Sequence, residues 1–476
     1  MHSINYFSNS MKRRFTLLSV LLTSVCSFAA EKPNIIYINI DDLGWADVSI
    51  NGSKYYETPH IDRLAKEGMI FTNGYSAAAN CAPSRACAIS GQNTPRHGVY
   101  TVKSSERGKA KDRKLIPTKN TQHLKHDNLT FGHALKAAGY TTATIGKWHV
   151  TKDPLKSGFD INVAGSAAGG PYTGGYHSPF KYPNLEVSEK GSYLTDVLTD
   201  KAIEFIGEHK AGPFFLYLPY FTVHSPLQAK PELVEKYKNK KGTKAQNNPI
   251  YAAMIESLDQ NIGRVLGALE SNGITDNTLV IFTSDNGGVN VSSLQWPLRG
   301  GKGMYYEGGI REPFFIRWPE KIKAGSRCDT PVSNLDFYPT FCDVAGTPAP
   351  KGKILDGLSL SPLFEAKKIT DRALYWHFPI YLQAYGKADN SGMKEAQDTK
   401  FRTRPGSAIR HGDWKLIEYF ENGEFELYNL KQDLGEKTNL ATKHPEKLQE
   451  LHTKLKNWRK ELKAPVPSKK NPKFEG

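Results

Sequence analysis

The 476-residue chain has 39% apolar and 23% charged residues, a balance that suits a folded globular protein and excludes a disordered one. With 63 Lys+Arg against 48 Asp+Glu, its formal charge is +15, which leaves nucleic acid, an anionic membrane or a soluble acidic polymer open as partners. No repeat recurs at a period of roughly 20–50 residues, which argues against solenoids and propellers.

The chain opens with Lys12-Arg13-Arg14, an uncharged run from Phe15 to Phe28, and the small pair Ala29-Ala30. This order predicts a signal peptide over residues 1–30; a buried N-terminal helix is the alternative. The run is short of the roughly 20 apolar residues that span a bilayer. The expectation is therefore an exported protein, periplasmic or secreted, with no stable membrane insertion. Loss of three basic residues leaves +12, and export argues against nucleic acid as a partner. Cys81, Cys87, Cys328 and Cys342 remain in the mature chain, too sparse for a disulfide scaffold. One bridge is compatible with that number, with its pairing unreadable.

Four apolar runs follow, each ending in polar residues: Asn34 to Ile40 at Asp41-Asp42, Thr141 to Ile145 at Gly146-Lys147-Trp148-His149, Phe214 to Leu218 before His224, and Leu279 to Phe282 before Asp285-Asn286. Such runs suit strands buried on both faces. Between them lie helical patterns. One opens at Thr58-Pro59, with a capping hydroxyl and Pro in the first turn, and closes at Gly68. Others run over 194–206 and 251–269 with 3–4 spacing. Strands alternating with helices predict an α/β fold with a mostly parallel sheet covered on both faces. Ligands in such sheets sit beyond the carboxyl ends of the strands, where all four polar clusters fall. The Gly- and Tyr-rich stretch 169–180 is a candidate pocket wall.

After residue 365 the texture changes. Leu374 to Phe378, Ser407 to Arg410, Trp414 to Tyr419 and Phe425 to Leu430 read as short strands, and roughly His444 to Leu462 as a helix. This predicts a smaller C-terminal α+β subdomain over 366–476, after a catalytic domain over 31–365. The Lys- and Pro-rich tail from Lys463 is expected to be extended or mobile.

Asp41, Asp42, Asp285 and Asn286 offer hard oxygen donors, which suit Ca²⁺ or Mg²⁺ better than zinc; separate turn caps are the alternative. Residues 81–91 read Cys-Ala-Pro-Ser-Arg-Ala-Cys-Ala-Ile-Ser-Gly. This segment resembles the C-x-P-S-R signature of the formylglycine-dependent (type I) sulfatases. Further blocks match in order: Gly146-Lys147-Trp148-His149, His224-Ser225-Pro226, Thr283-Ser284-Asp285-Asn286-Gly287-Gly288, the stretch 299–313 that carries Lys302, Gly412-Asp413-Trp414-Lys415-Leu416 and Glu426-Leu427-Tyr428-Asn429-Leu430. Ala88 and Gln92 depart from the usual pattern without touching the chemistry.

The resemblance implies an arylsulfatase-like, secreted bacterial carbohydrate sulfatase with an alkaline-phosphatase-like α/β/α sandwich. It implies that a maturation enzyme converts Cys81 to 3-oxoalanine (formylglycine), whose hydrate carries two hydroxyls. One attacks sulfur and displaces the alcohol; the other loses its proton and expels sulfate. It further implies that Asp41, Asp42, Asp285, Asn286 and the modified Cys81 hold Ca²⁺, with Mg²⁺ as the alternative. Arg85 would support the nucleophile, Lys147 and Lys302 the sulfate, His149 would be the base and His224 the acid. His377 is a further candidate for touching substrate, and His97 for bracing the signature segment. The expected substrate is a sulfated poly- or oligosaccharide. The rivals are a phosphonate monoester or phosphodiester hydrolase of the same fold, and a non-catalytic binder of acidic glycans.

Overall fold

The computed structural model describes residues 1–2, 32–385 and 400–475; the predicted signal segment lies almost wholly outside the described residues. Eight strands form the main sheet: β1 (Asn34–Ile40), β2 (Met69–Phe71), β3 (Thr141–Ile145), β4 (Ile161–Val163), β5 (Phe214–Pro219), β6 (Thr278–Ser284), β7 (Phe315–Arg317) and β8 (Ser326–Cys328). Their order is β8-β2-β7-β6-β1-β5-β3-β4. The central run β6-β1-β5-β3-β4 is parallel, while β7 is antiparallel to both neighbours. The expected strands are all present, within a residue or two.

Every residue of β1, β5 and β6 is buried, which explains their largely apolar composition. Alternate side chains serve opposite faces. Ile36, Ile38 and Ile40 join the core with α1 (Pro59–Lys66), α4 (Leu194–His209) and α5 (Pro249–Ser271). Ile35, Tyr37, Phe215 and Tyr217 face α2 (Cys81–Ser90), α3 (Phe131–Ala137) and α6 (Phe337–Val344). Asn248 caps α5 by accepting from the Ile250 and Tyr251 amides, at 3.1 Å each.

The start of α1 differs from the sequence reading. Thr58 makes no cap bond to the helix; its hydroxyl donates to Asp62 and accepts from the Ser49 amide. The free amides of His60 and Ile61 are taken by Asp259 of α5, at 3.0 and 2.8 Å. Burial raises the Asp259 carboxyl from 3.8 to about 7, more than these amides lower it. A carboxyl raised in the folded state favours the native protein at low pH, and that benefit is lost as pH climbs through about 7. Asp259→Asn, which cannot ionise, is therefore expected to gain thermal stability relative to wild type between pH 4 and 7. A flat difference across that window would refute the sign. Asp259→Ala loses the cap altogether and should cost about 1–2 kcal/mol.

The C-terminal part is a four-stranded antiparallel sheet, in sequential order, of β9 (Leu374–Phe378), β10 (Gly406–His411), β11 (Trp414–Tyr419) and β12 (Glu424–Asn429), with helix α7 (Pro445–Glu461). One face packs on Tyr75, Tyr100 and Met304–Tyr306, and the other on α7. Beneath it the fully buried Lys415 ammonium bridges Glu307 and Glu436 at 3.0 and 2.8 Å. The tail is extended, as expected, but docked: Lys470 bridges to Leu115, and Asn471 bonds the carbonyls of Ala110 and Arg113. Cys81, Cys87, Cys328 and Cys342 are free thiols. Among the described residues no helix is long and apolar enough to cross a membrane.

Candidate active site

Register brings the polar clusters together. Ile40 pairs with Ser284, so Asp41-Asp42 and Asp285-Asn286 leave adjacent parallel strands side by side. The Asp285 amide donates to the Ile40 carbonyl at 3.0 Å, and the Asp42 amide to Asp285 Oδ1 at 3.2 Å. Asp42 holds a left-handed φ of 64°, a strained state for a non-glycine residue.

The segment after β3 turns as sharply. Gly146 has φ 124°, and a Cβ there would lie 2.1 Å from the Pro219 carbonyl. Trp148 is buried, edge-on to Phe159 with its indole N–H on Thr151. That anchor leaves Lys147 and His149 for the site, and His149 too is left-handed, at φ 57°.

Cys81 is the first residue of α2, after the extended Asn80. Its thiol, the Asp41 carboxylate and the Asp285 carboxylate offer atoms that lie within 4.8 Å of one another. Burial pushes the Cys81 thiol up, against the pull of Lys147 and Lys302, so the unmodified sulfur is not an activated thiolate. Four residues on, one turn along the same helix face, Arg85 pairs with Asp285 at 2.7 Å and donates to the Lys147 carbonyl at 2.7 Å. Lys147 pairs with Asp41 at 2.6 Å, and Lys302 with Asp42 at 2.6 Å. Asn286 Nδ2 donates to Asp42 Oδ1 at 2.9 Å.

These pairs do not satisfy the acids fully. Burial raises the Asp41 and Asp285 carboxyls despite Lys147 and Arg85. For Asp42, the Lys302 ammonium outweighs burial and holds the carboxyl down. Asp41 Oδ1 and Asn286 Oδ1 are buried acceptors with no hydrogen-bond partner. Two orphaned oxygens, one from a carboxylate and one from an amide, beside the Asp42 and Asp285 carboxylates fit a hard divalent cation.

Both histidines are held neutral. Burial, with Lys147 and Arg85 nearby, takes His149 well below its ordinary value, and its Nδ1 is unpartnered. Burial and Lys302 lower His224 to about 3. His224 Nδ1 lies 2.7 Å from its own Ser225 carbonyl, so Nδ1 carries the proton, and Nε2 sits 3.9 Å from Asp42. The predicted loop does form a wall: Gly169 and Tyr172 line a cavity of about 860 Å³ with Cys81, His149, His224 and Lys302. A Cβ on Gly169 would lie 2.6 Å from His149 Cε1. Gly169→Ala must therefore push the ring aside, and kcat should fall about tenfold to a hundredfold. An unchanged kcat would show that this ring position is not used.

His377 is not part of this cavity, which corrects the expectation for it. Its Nδ1 meets Ser407 Oγ at 2.8 Å and its Nε2 the Pro465 carbonyl at 2.9 Å. Both ring nitrogens are spent between β9 and the tail, and burial lowers it to about 3. His97 does brace: its Nε2 lies 3.5 Å from Cys87 Sγ and its Nδ1 accepts from the Val99 amide. Sequence reasoning missed Tyr217 and Asn39. The Tyr217 oxygen accepts from Asn39 at 3.0 Å and lies 3.5 Å from Arg85 Nη1. Both residues sit inside apolar strands, where only the alternation of faces marked them.

Residues 33–347 match the sulfatase family model, and residues 301–464 the model for the C-terminal part of N-sulphoglucosamine sulphohydrolase. The chain belongs to the sulfatase family. This sulfatase, a sulfuric ester hydrolase of the type I, arylsulfatase-like kind, is 36% identical to a sulfatase of Formosa agariphila, over 94% of this chain and 93% of that one. It is 33% identical to mouse N-acetylgalactosamine-6-sulfatase, over 73% and 69% of the two chains. Its fold matches the crystal structure of Ps i-CgsB in complex with k-i-k-neocarrahexaose, at TM-score 0.73 and 31% identity, over 90% and 93% of the chains. The alkaline-phosphatase-like α/β architecture expected from the signature is thus the one observed.

Proposed function

We propose that this sulfatase removes sulfate from a sulfated poly- or oligosaccharide, using Cys81 after its conversion to formylglycine. The observation that carries the reading is Cys81 at a helix N-terminus, buried between two lysines and an acidic cluster with orphaned oxygens. The saccharide class is supported by the neocarrahexaose in one structural relative and the N-acetylgalactosamine 6-sulfate substrate in the names of others. A phosphonate monoester hydrolase shares the fold at TM-score 0.65 and 21% identity, which supports no shared substrate.

Asp41, Asp42, Asp285, Asn286 and position 81 would hold Ca²⁺, or Mg²⁺ in its place. When bound, the ion supplies Lewis-acid polarisation of the sulfuryl oxygens. A formylglycine hydrate at position 81 would supply one oxygen for attack on sulfur and a second for release of sulfate. The chain's own residues do the rest. Lys147 and Lys302 bind sulfate oxygens and stabilise the negative charge that spreads in the transition state. Arg85 Nη2, buried without a partner, is the donor left for an oxygen at position 81. His149, neutral with a free nitrogen, takes the proton that releases sulfate. His224 is neutral beside two lysines; the arriving sulfate offsets those charges, raises its proton affinity and lets Nε2 protonate the departing alcohol.

Export to the periplasm or medium, by removal of residues 1–30, completes the reading, as does a partner enzyme that matures Cys81. Intact-mass spectrometry of protein from its natural host tests it: conversion of the thiol to the aldehyde removes about 18 Da. An unmodified thiol, or no sulfate released from any sulfated saccharide, would overturn the proposal.

A further inference from the structure

The cavity above Cys81 carries more positive charge than one sulfate ester requires. Besides Lys302, its wall holds Arg107 and Arg402, together with the exposed Lys103. Among the described lining residues the one carboxylate is Asp42, already paired with Lys302. Among the described residues neither guanidinium has a carboxylate partner. Burial, together with the neighbouring Arg402, holds Arg107 below its ordinary value.

Both side chains are nonetheless placed. Arg107 Nε donates to Gln383 Oε1 at 2.9 Å, which leaves its two terminal amino groups. Arg402 Cζ lies over the Tyr385 ring, 4.0 Å from its centroid. Its Nη1 reaches the Lys302 carbonyl at 3.4 Å, and the Tyr385 hydroxyl donates to that carbonyl at 3.1 Å. Gly303 makes room beneath: a Cβ there would lie 2.9 Å from Arg402 Nε. Their chain neighbours are also close, since a Cβ on Gly108 would lie 2.7 Å from the Phe401 ring. A guanidinium stacked on an aromatic face keeps an N–H edge for in-plane, bidentate contact with an oxyanion. Two like charges held together without a counter-ion repel, and an anion between them removes that cost.

We propose that Arg107 and Arg402 form a second anion subsite, which holds a further sulfate or carboxylate of the saccharide whose ester reaches Cys81. The inference rests on the saccharide-sulfatase reading and narrows it to substrates with at least two anionic groups. A small aryl sulfate would use only the deep site.

Calorimetric binding to the full chain carrying Cys81→Ala, saturated with Ca²⁺, separates the two readings. The probes are N-acetylgalactosamine 6-sulfate, its 4,6-disulfate, and the glucuronate-linked disaccharide of the 6-sulfate; the last two distinguish a sulfate from a carboxylate as the second anion. At least one of the two dianionic probes should bind tenfold or more tighter than the monosulfate. Arg107→Gln, alone and with Arg402→Gln, should cut that preference to threefold or less while leaving monosulfate affinity unchanged. Arg107 is half-buried with a single side-chain hydrogen bond, so its variant tests the idea even where the double variant unfolds. A preference that is absent, or that survives both variants, overturns the subsite alone. If none of the three probes binds, the subsite fails; the saccharide reading falls with it only if the matured chain also releases no sulfate from any sulfated saccharide.

Discussion

Cys81→Ser, made in a host without a serine-directed maturase, is expected to stop steady-state turnover, with a loss of about 10⁴-fold or more. A serine oxygen at the N-terminus of α2 occupies the same place beside Lys147 and Lys302, and attack on sulfur remains possible there. What it lacks is a second hydroxyl on the same carbon. Release of sulfate by C–O cleavage needs that oxygen to lose its proton and push, and a serine ester has nothing equivalent. The signature of the proposed mechanism is therefore no more than one equivalent of alcohol per chain, with the sulfate retained on the protein as added mass. Multiple turnovers by this variant would show that the hydrate is not required. The high proton affinity of the buried Cys81 thiol predicts that the unmatured wild-type chain is similarly inert.

Lys302→Met carries the second-largest expected effect, about 10²–10³-fold in kcat/KM. The lysine is buried against Asp42 and lines the cavity, so it sits where charge develops as sulfur is attacked. Its removal also leaves Asp42 short of a partner, and stability will fall. Lys415→Met separates the two consequences. Lys415 is fully buried and paired with two glutamates, but it lies under the C-terminal sheet and not on the cavity wall. Breaking that cluster should cost about 3–5 kcal/mol of stability and leave kcat of the folded fraction unchanged. If both variants lose stability and neither loses kcat, Lys302 is structural only.

The proposed second subsite gives part of the +15 charge a place. Lys302, Arg107 and Arg402 gather on one cavity wall although they come from three distant parts of the chain. A basic composition alone allowed nucleic acid, membranes or acidic polymers equally. A cationic cavity above the sulfatase signature favours a soluble polyanion.

Much of this protein was legible in the chain itself. Strands buried on both faces are largely apolar, so β1, β5 and β6 announce themselves, and the polar residues just beyond them mark the site. The helix α5 and the small C-terminal sheet show the same directness, because periodicity is a local property of sequence. The signature around Cys81 then supplied the chemistry. Three features were decided only by the tertiary structure. Thr58 has the right residue type for a cap, yet Asp259, 199 residues away from His60, takes the role. His377 looked available for substrate, yet Ser407 and Pro465 consume both its nitrogens. Arg107 and Arg402 carried no sequence signal, and folding set them together with no counter-ion among the described residues. The physical reason is common to all three. Sequence determines which backbone states and buried faces a segment favours, but a polar group is satisfied by whatever partner the fold brings within about 3 Å.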